Sequence, residues 1–268
     1  MQILQDENLR EKPIGSALNY TWAALSANWK NSAVIAGLLL LLSLFQAIPM
    51  VGMIAAIAQG IVSSALAYWV VEKLTSSTNL KSFKEGVESA GPKEMLFRFI
   101  APASGFYLGI VITTIIFMAA TALIFWLIGG SAMFGIFSEQ MSGDQMTIAQ
   151  TTIFETIIPV TIFILVTATF FGYIWPLVYG YALLQRSFSD ALNALFMLFS
   201  TRFWRAAFTM QYFKVVSLWM LILFGAMLLA GICTAFFILI PVAVLILLWL
   251  TYFSAIVAAE TYNFSDDI

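Results

Sequence analysis

The stretch NSAVIAGLLLLLSLFQAIPMVGMIAAIAQGIVSSALAYWVV, residues 31–71, contains no Asp, Glu, Lys or Arg and is broken only at its middle, by Gln46, Ile48 and Pro49. A helix crosses the hydrocarbon layer with about 20 apolar residues, and this run is about twice that length. It predicts two membrane spans joined by a tight turn at Pro49, whose ring removes a backbone donor and ends a helix. Residues 215–259 form a second uncharged stretch, carrying the same mark at Ile240 and Pro241. A hairpin of two spans is therefore expected near each end of the chain.

The totals agree. Hydrophobic residues make up 62% of the 268 and charged residues 10%, where a soluble domain has about 25% charged, so a water-soluble fold is excluded. With no His and one Cys, Cys233, inside an apolar run, the chain offers neither a transition-metal cluster nor an internal disulfide. The first thirty residues include Asp6, Glu7, Arg10, Glu11, Lys12 and Lys30 and have no early apolar core. No cleavable secretory signal is expected there, and the first span acts as its own signal.

Residues 1–13 form a polar lead that is expected to fray. From there Ile14, Leu18, Trp22, Leu25 and Trp29 recur at threes and fours. This predicts a surface helix over about 14–29 with its tryptophans at headgroup depth, although the same spacing fits an upstream extension of the first span. Spans one and two are placed at about 32–47 and 50–71. In the second, Gly52, Ala56, Gly60 and Ser64 form a row of small side chains, which suits close helix packing or, alternatively, a substrate groove. The basic connection that follows places Leu80, Phe83 and Val87 on one side of a surface helix over about 79–89, stopped by Gly91-Pro92.

Span three covers about 99–127, with Gly105 and Gly109 as a helix-packing pair. Residues 129–152 read as loop, and Glu139, Asp144 and Glu155 nearby suit either a hard cation or plain solvation. Span four covers about 156–184, where Pro176 deprives the Gly172 carbonyl of its usual donor and predicts a kink, either static or a hinge. A third surface helix over about 188–203 has the strongest amphipathic pattern: Phe188, Leu192, Leu195, Phe196, Phe199 and Phe203 lie opposite Asp190, Asn193, Ser200 and Arg202. Spans five and six are placed at about 215–239 and 241–259, followed by a short acidic tail from Glu260.

All twelve Lys and Arg fall in the lead, the connection after span two and the connection after span four. Basic residues are retained on the cytoplasmic side, so both termini are expected there. The expected fold is an all-α integral membrane protein of six transmembrane helices in three hairpins, each preceded by a cytoplasmic amphipathic helix. The whole chain, 1–268, forms one membrane domain, located in a prokaryotic cytoplasmic membrane.

The first and third units echo each other. Ala17-Leu18-Asn19 matches Ala191-Leu192-Asn193, Ser26 matches Ser200, Trp29-Lys30 matches Trp204-Arg205, and Ile48-Pro49 matches Ile240-Pro241. A parallel duplication accounts for this, as does shared apolar composition. The pattern, with its ending Ala258-Ala259-Glu260-Thr261-Tyr262, resembles six-span prokaryotic membrane families, among them the membrane domain that accompanies glycerophosphodiester phosphodiesterases. That resemblance implies a fold and a membrane location. It brings no catalytic residue, and no soluble phosphodiesterase domain stands in this sequence.

Within the spans there is no nucleophile with a base, no paired carboxylates and no metal-ligand set, so no catalytic residue, metal site or cofactor is expected and the chain reads as a non-enzyme. Cys233 has no evident activating neighbour. The deepest polar side chains are Gln59, Thr113, Thr114, Thr121, Thr167, Thr169 and Thr251, and threonine hydroxyls can bond back to their own helix. Two functions remain open: a structural, assembly or lipid-interacting role, and carriage of an apolar or lipid-like substrate. Lys30, Arg186, Arg202, Arg205 and Lys214 are the candidate contacts for anionic lipid, at about 1 kcal/mol each when well placed. The expected partners are membrane lipids and a protein partner or second copy, not nucleic acid.

Overall fold

The computed structural model describes residues 13–126, 158–236 and 239–265. Among the described residues there is no strand, as expected where a backbone crossing lipid must satisfy its own polar groups. In chain order the helices are α1 (Pro13–Ala27), α2 (Trp29–Phe45), α3 (Val51–Ser76), α4 (Leu80–Glu88), α5 (Pro92–Phe97), α6 (Ile100–Phe125), α7 (Ile158–Leu183), α8 (Phe188–Ala194), α9 (Thr201–Ala207), α10 (Met210–Ala235) and α11 (Ile240–Ser265). Helices α3, α6, α7, α10 and α11 are each long and apolar enough to cross a membrane, and α1 with α2 makes a sixth such element that bends by 92°. The chain is an all-α membrane protein.

That bend separates α1 from α2. It falls at Asn28, whose Nδ2 donates to the carbonyls of Val87 at 2.7 Å and Ala90 at 2.8 Å, while Asn31 Nδ2 donates to Ala90 at 2.9 Å. The corner is thus tied to the end of α4 and the turn after it. Helix α1 buries Ile14, Ala17, Tyr20, Thr21 and Ala24, and turns Leu18, Trp22 and Asn19 outward. The stripe read from sequence is therefore divided: Ile14 packs inward, and the Trp22 side faces away from the protein.

The turn after α2 is tight because Val51 N–H donates to the Pro49 carbonyl at 2.8 Å, closing a three-residue turn around Met50 at φ 64° and ψ −48°. This classic γ-turn is a rare, strained conformation. Gly52 follows for steric reasons, since a Cβ there would strike the Gln46 backbone.

The chain divides into two compact units, residues 1–109 with 174–268, and residues 110–173. In the larger unit, residues 64–71 of α3 and 255–262 of α11 are buried on every side, and α11 packs against α1, α2, α3 and α10. In the smaller unit, Phe117 meets Phe171 edge-on at 6.0 Å, and Thr167 and Thr169 donate to the carbonyls of Phe163 and Leu165, each at 2.7 Å. The boundary at Tyr173 and Ile174 lies between Gly172 and Pro176, inside one continuous helix, α7.

Two expectations change. The third surface helix is not continuous: α8 tightens into a 3-10 turn over Leu195–Phe199, Ser200 is extended, and α9 then starts afresh. Trp204 Nε1 donates to the Leu198 carbonyl at 2.9 Å, holding the break. The acidic tail is also not a tail at its start, since α11 runs through Glu260 to Ser265. The lead at 1–12 and the loop with Glu139, Asp144 and Glu155 lie outside the described residues.

Candidate functional site

Each second helix of the outer hairpins carries a glutamate at its buried run, Glu72 just past residues 64–71 and Glu260 within residues 255–262, and the two glutamates meet different surroundings. On α3, Glu72 Oε1 lies 2.5 Å from Arg98 Nη2 and 3.7 Å from Arg186 Nη1, while neighbouring Lys73 pairs with Glu94 at 2.7 Å. These pairs draw together the ends of α3, α5 and α7. On α11, Glu260 is 2% exposed, and among the described residues neither carboxylate oxygen has a hydrogen-bond partner. A carboxyl taken out of water without a partner is costly, and in a membrane protein such a group marks a site of function more often than a scaffold.

The tyrosines repeat the contrast. Tyr68 Oη on α3 donates to the Ala182 carbonyl at 2.8 Å. Tyr252 on α11 stands two turns before Glu260 on the same helix face, its ring 5.9 Å from that of Trp69. The Ser32 hydroxyl lies beside the Tyr252 hydroxyl, yet Ser32 Oγ, Tyr252 Oη and Trp69 Nε1 are all buried without a hydrogen bond of ordinary geometry.

Ser32 also forms part of the wall of an open apolar groove of about 650 Å³ between the α1–α2 corner and the α10–α11 hairpin. Trp22 and Trp29 stand at the corner, Ala33 and Ala226 on facing helices, and Trp249 on α11. Phe253 stacks on the Trp249 ring at 4.9 Å. The volume falls in the range of about 300–1,000 Å³ typical of small-molecule sites. Its wall is almost wholly hydrocarbon.

The residues singled out from the sequence are distributed as follows. Gly52 serves its own turn, Gly60 lies against the Tyr107 ring, Ser64 is buried and Ala56 is exposed, so the small-residue row does not meet one partner helix. Gly105 lies against the Phe188 backbone, and Gly109 against Leu192 and Leu195, so this pair receives a surface helix rather than a span. Pro176 is buried within α7. Arg186 is joined to Glu72, whereas Lys30, Arg202, Arg205 and Lys214 are exposed. Gln59 accepts from Gln46 Nε2 and, at 3.4 Å, from Ser43, linking α2 to α3 near their turn.

Sequence reasoning passed over Glu260, Asn28 and Gly180. A Cβ on Gly180 would run into the carbonyl of Ala258, so α7 and α11 touch backbone to backbone there. The Tyr-Gly-Tyr context of Gly180 gave no spacing signal. Glu260 was visible only as the first charge after an apolar run. Cys233 sits in a small cluster with Ala230 and Ala243, backed by Ile246. No family model, curated protein or solved structure matches the chain.

Proposed function

We propose that this membrane protein is non-enzymatic and acts by binding membrane lipid, with the groove between the α1–α2 corner and the α10–α11 hairpin as its lipid site. The groove carries the reading: it is apolar, lies beside helices long and apolar enough to cross the bilayer, and is framed at its corner by Trp22 and Trp29, residues whose amphipathic rings suit the headgroup level. A soluble metabolite would find almost no hydrogen-bonding group on its wall, whereas an acyl chain needs none. The non-enzymatic part rests on the chain's having no histidine and on Cys233 being enclosed by small apolar side chains. The positive-inside pattern supports a prokaryotic cytoplasmic membrane with both termini inside. Carriage of a lipid-like substrate is the second reading, favoured by the unpaired buried carboxyl of Glu260.

The test is purification in detergent from native membranes, exhaustive washing, and quantitation of what remains bound, for the wild type and for Ala33→Trp, which fills the groove from α2. About one lipid per chain is expected in the wild type and none in the variant. Equal lipid in both, or a stoichiometric polypeptide instead of lipid, would overturn the reading.

A further inference from the structure

We propose that the broken segment from Leu195 to Met210 docks on one leaflet of the membrane, with its outward phenylalanines in the acyl boundary and Arg205 and Lys214 against anionic headgroups. This surface lies apart from the groove, and the inference does not depend on the groove's occupant.

The first observation is what the break does to the phenylalanines. In one unbroken helix Phe196, Phe199 and Phe203, spaced at three and four, would share a face and be covered together. The 3-10 turn over Leu195–Phe199 and the extended Ser200 separate them. Phe203 is 1% exposed and sets its ring edge-on to Tyr181 and Tyr262, at 5.9 and 6.0 Å. Leu195 and Leu198 are buried with it, whereas Phe199 is 73% exposed and Phe196 is exposed beside it in the turn. Past the short α9, Phe208 is 74% exposed, its ring 6.3 Å from that of Trp204, and Met210 is exposed as well. Covering one such side chain gains about 1.5–3 kcal/mol. A fold that turns three phenylalanines outward therefore presents a surface made for an apolar phase.

The second observation is what that surface adjoins. Only Phe208 and Thr209 separate α9 from α10, and the Thr209 hydroxyl accepts from the Tyr212 N–H to start that helix. Helix α10 is long and apolar enough to cross a membrane, and its outward face carries Leu218, Leu221 and Phe224. The phase that covers these residues on a crossing helix thus begins close to Phe208, and the exposed phenylalanines continue the same surface.

The third observation is charge. Between Asp190 and Glu260 the chain has no Asp or Glu, but it has Arg202, Arg205 and Lys214. All three are exposed, and Arg205 and Lys214 make no ion pair among the described residues. Aromatic side chains beside cations, with no acidic residue among them, match a leaflet whose headgroups are anionic.

The experiment uses the full chain with Cys233→Ala and one added cysteine, Phe199→Cys, Phe208→Cys, Leu221→Cys or Lys84→Cys, each carrying an environment-sensitive fluorophore. The variants are reconstituted in vesicles of equimolar phosphatidylglycerol and phosphatidylcholine, where one lipid or the other bears a nitroxide on its acyl chain. Labels at Phe199 and Phe208 are expected to be quenched by the nitroxide lipids as at Leu221, and about fivefold less by aqueous iodide than the label at Lys84. Nitroxide phosphatidylglycerol should associate about fivefold more strongly than nitroxide phosphatidylcholine, the effect of one well-placed cation. Arg205→Gln with Lys214→Gln should bring that ratio close to one while leaving quenching at Leu221 unchanged. Should that double variant not assemble, raising the salt on the unaltered chain should lower the same ratio. Iodide quenching at Phe199 and Phe208 equal to that at Lys84 would overturn the proposal, because the surface would then face water. Shielding from both quenchers would overturn it in favour of a polypeptide cover. Equal quenching by the two nitroxide lipids would overturn the assignment to anionic headgroups.

Discussion

Helices α3 and α11 hold equivalent places in the first and last hairpins, and they differ in how completely their polar groups are satisfied. Each is enclosed on every side over about two helical turns and carries a glutamate there, Glu72 just past the run 64–71 and Glu260 within the run 255–262. On α3 the tyrosine has a carbonyl and one oxygen of the glutamate has two arginines, although Glu72 Oε2 and Trp69 Nε1 have no hydrogen-bond partner among the described residues. On α11 the tyrosine hydroxyl and both glutamate oxygens have none. A helix whose glutamate meets two arginines is explained by the fold it supports. One that buries a carboxyl without a partner is not, because a carboxyl costs stability that an apolar residue of the same size would not. The α11 side, which also builds the groove, is therefore where the proposed lipid role is tested.

The largest expected effect tests how α11 is held. At Gly180 a Cβ meets the backbone of Ala258, which cannot swing away, whereas at Gly60 on α3 it meets the ring of Tyr107, which can. Gly180→Ala should destabilise the detergent-solubilised protein by about 3 kcal/mol, at the upper end of overpacking costs, and Gly60→Ala by about 1 kcal/mol or less. Gly231→Ala is the control, since nothing lies within 4 Å of its Cβ position. It should be neutral or slightly stabilising, because alanine is the better helix former. Equal melting temperatures for Gly180→Ala and Gly231→Ala would show that α7 and α11 are not in backbone contact.

Next in size is the pair of glutamates. Glu72→Met leaves Arg98 and Arg186 facing an apolar side chain, and should cost about 2 kcal/mol, below the 3–5 kcal/mol of a fully buried pair because both arginines are half exposed. Glu260→Met removes a group with nothing to lose and should stabilise by about 1 kcal/mol. Denaturation of both variants in one detergent checks the difference in sign. A loss on Glu260→Met as large as that on Glu72→Met would mean that Glu260 has a partner in the folded protein.

This contrast also shows what the sequence can and cannot disclose. The long apolar helices and the turn at Pro49 follow from hydropathy and period, because lipid imposes the same demand on every crossing segment. Hydropathy does not separate a helix face that meets lipid from one that meets protein, since both are apolar. Residues 255–259 and 215–229 read alike in sequence, yet the first are wholly buried and the second largely exposed. For that reason Glu260 reads as the start of a tail when it lies within the buried run 255–262. Gly180 was missed for a related reason: small-residue spacing reports a row of close contacts, and here one glycine makes a single contact. The corner at Asn28 depends on two carbonyls about sixty residues away, a separation that no local pattern carries.

The smallest effect is the sharpest test of the comparison, because it changes one oxygen. Tyr68→Phe removes a hydroxyl that donates to the Ala182 carbonyl, and interhelical hydrogen bonds in membranes contribute about 0.6 kcal/mol on average. The carbonyl of Ala182 still has its place beside the Gln185 N–H, which donates to it at 3.0 Å, so the loss should stay close to that average. Tyr252→Phe removes a buried hydroxyl that makes no ordinary hydrogen bond, and its melting temperature should be unchanged or slightly higher. The aromatic contact with Trp69 survives in this variant, so any loss of stability has to come from the hydroxyl itself. A drop on Tyr252→Phe that matches Tyr68→Phe would place a real hydrogen bond between Tyr252 and Ser32. The polar difference between the two helices would then reduce to Glu260 alone.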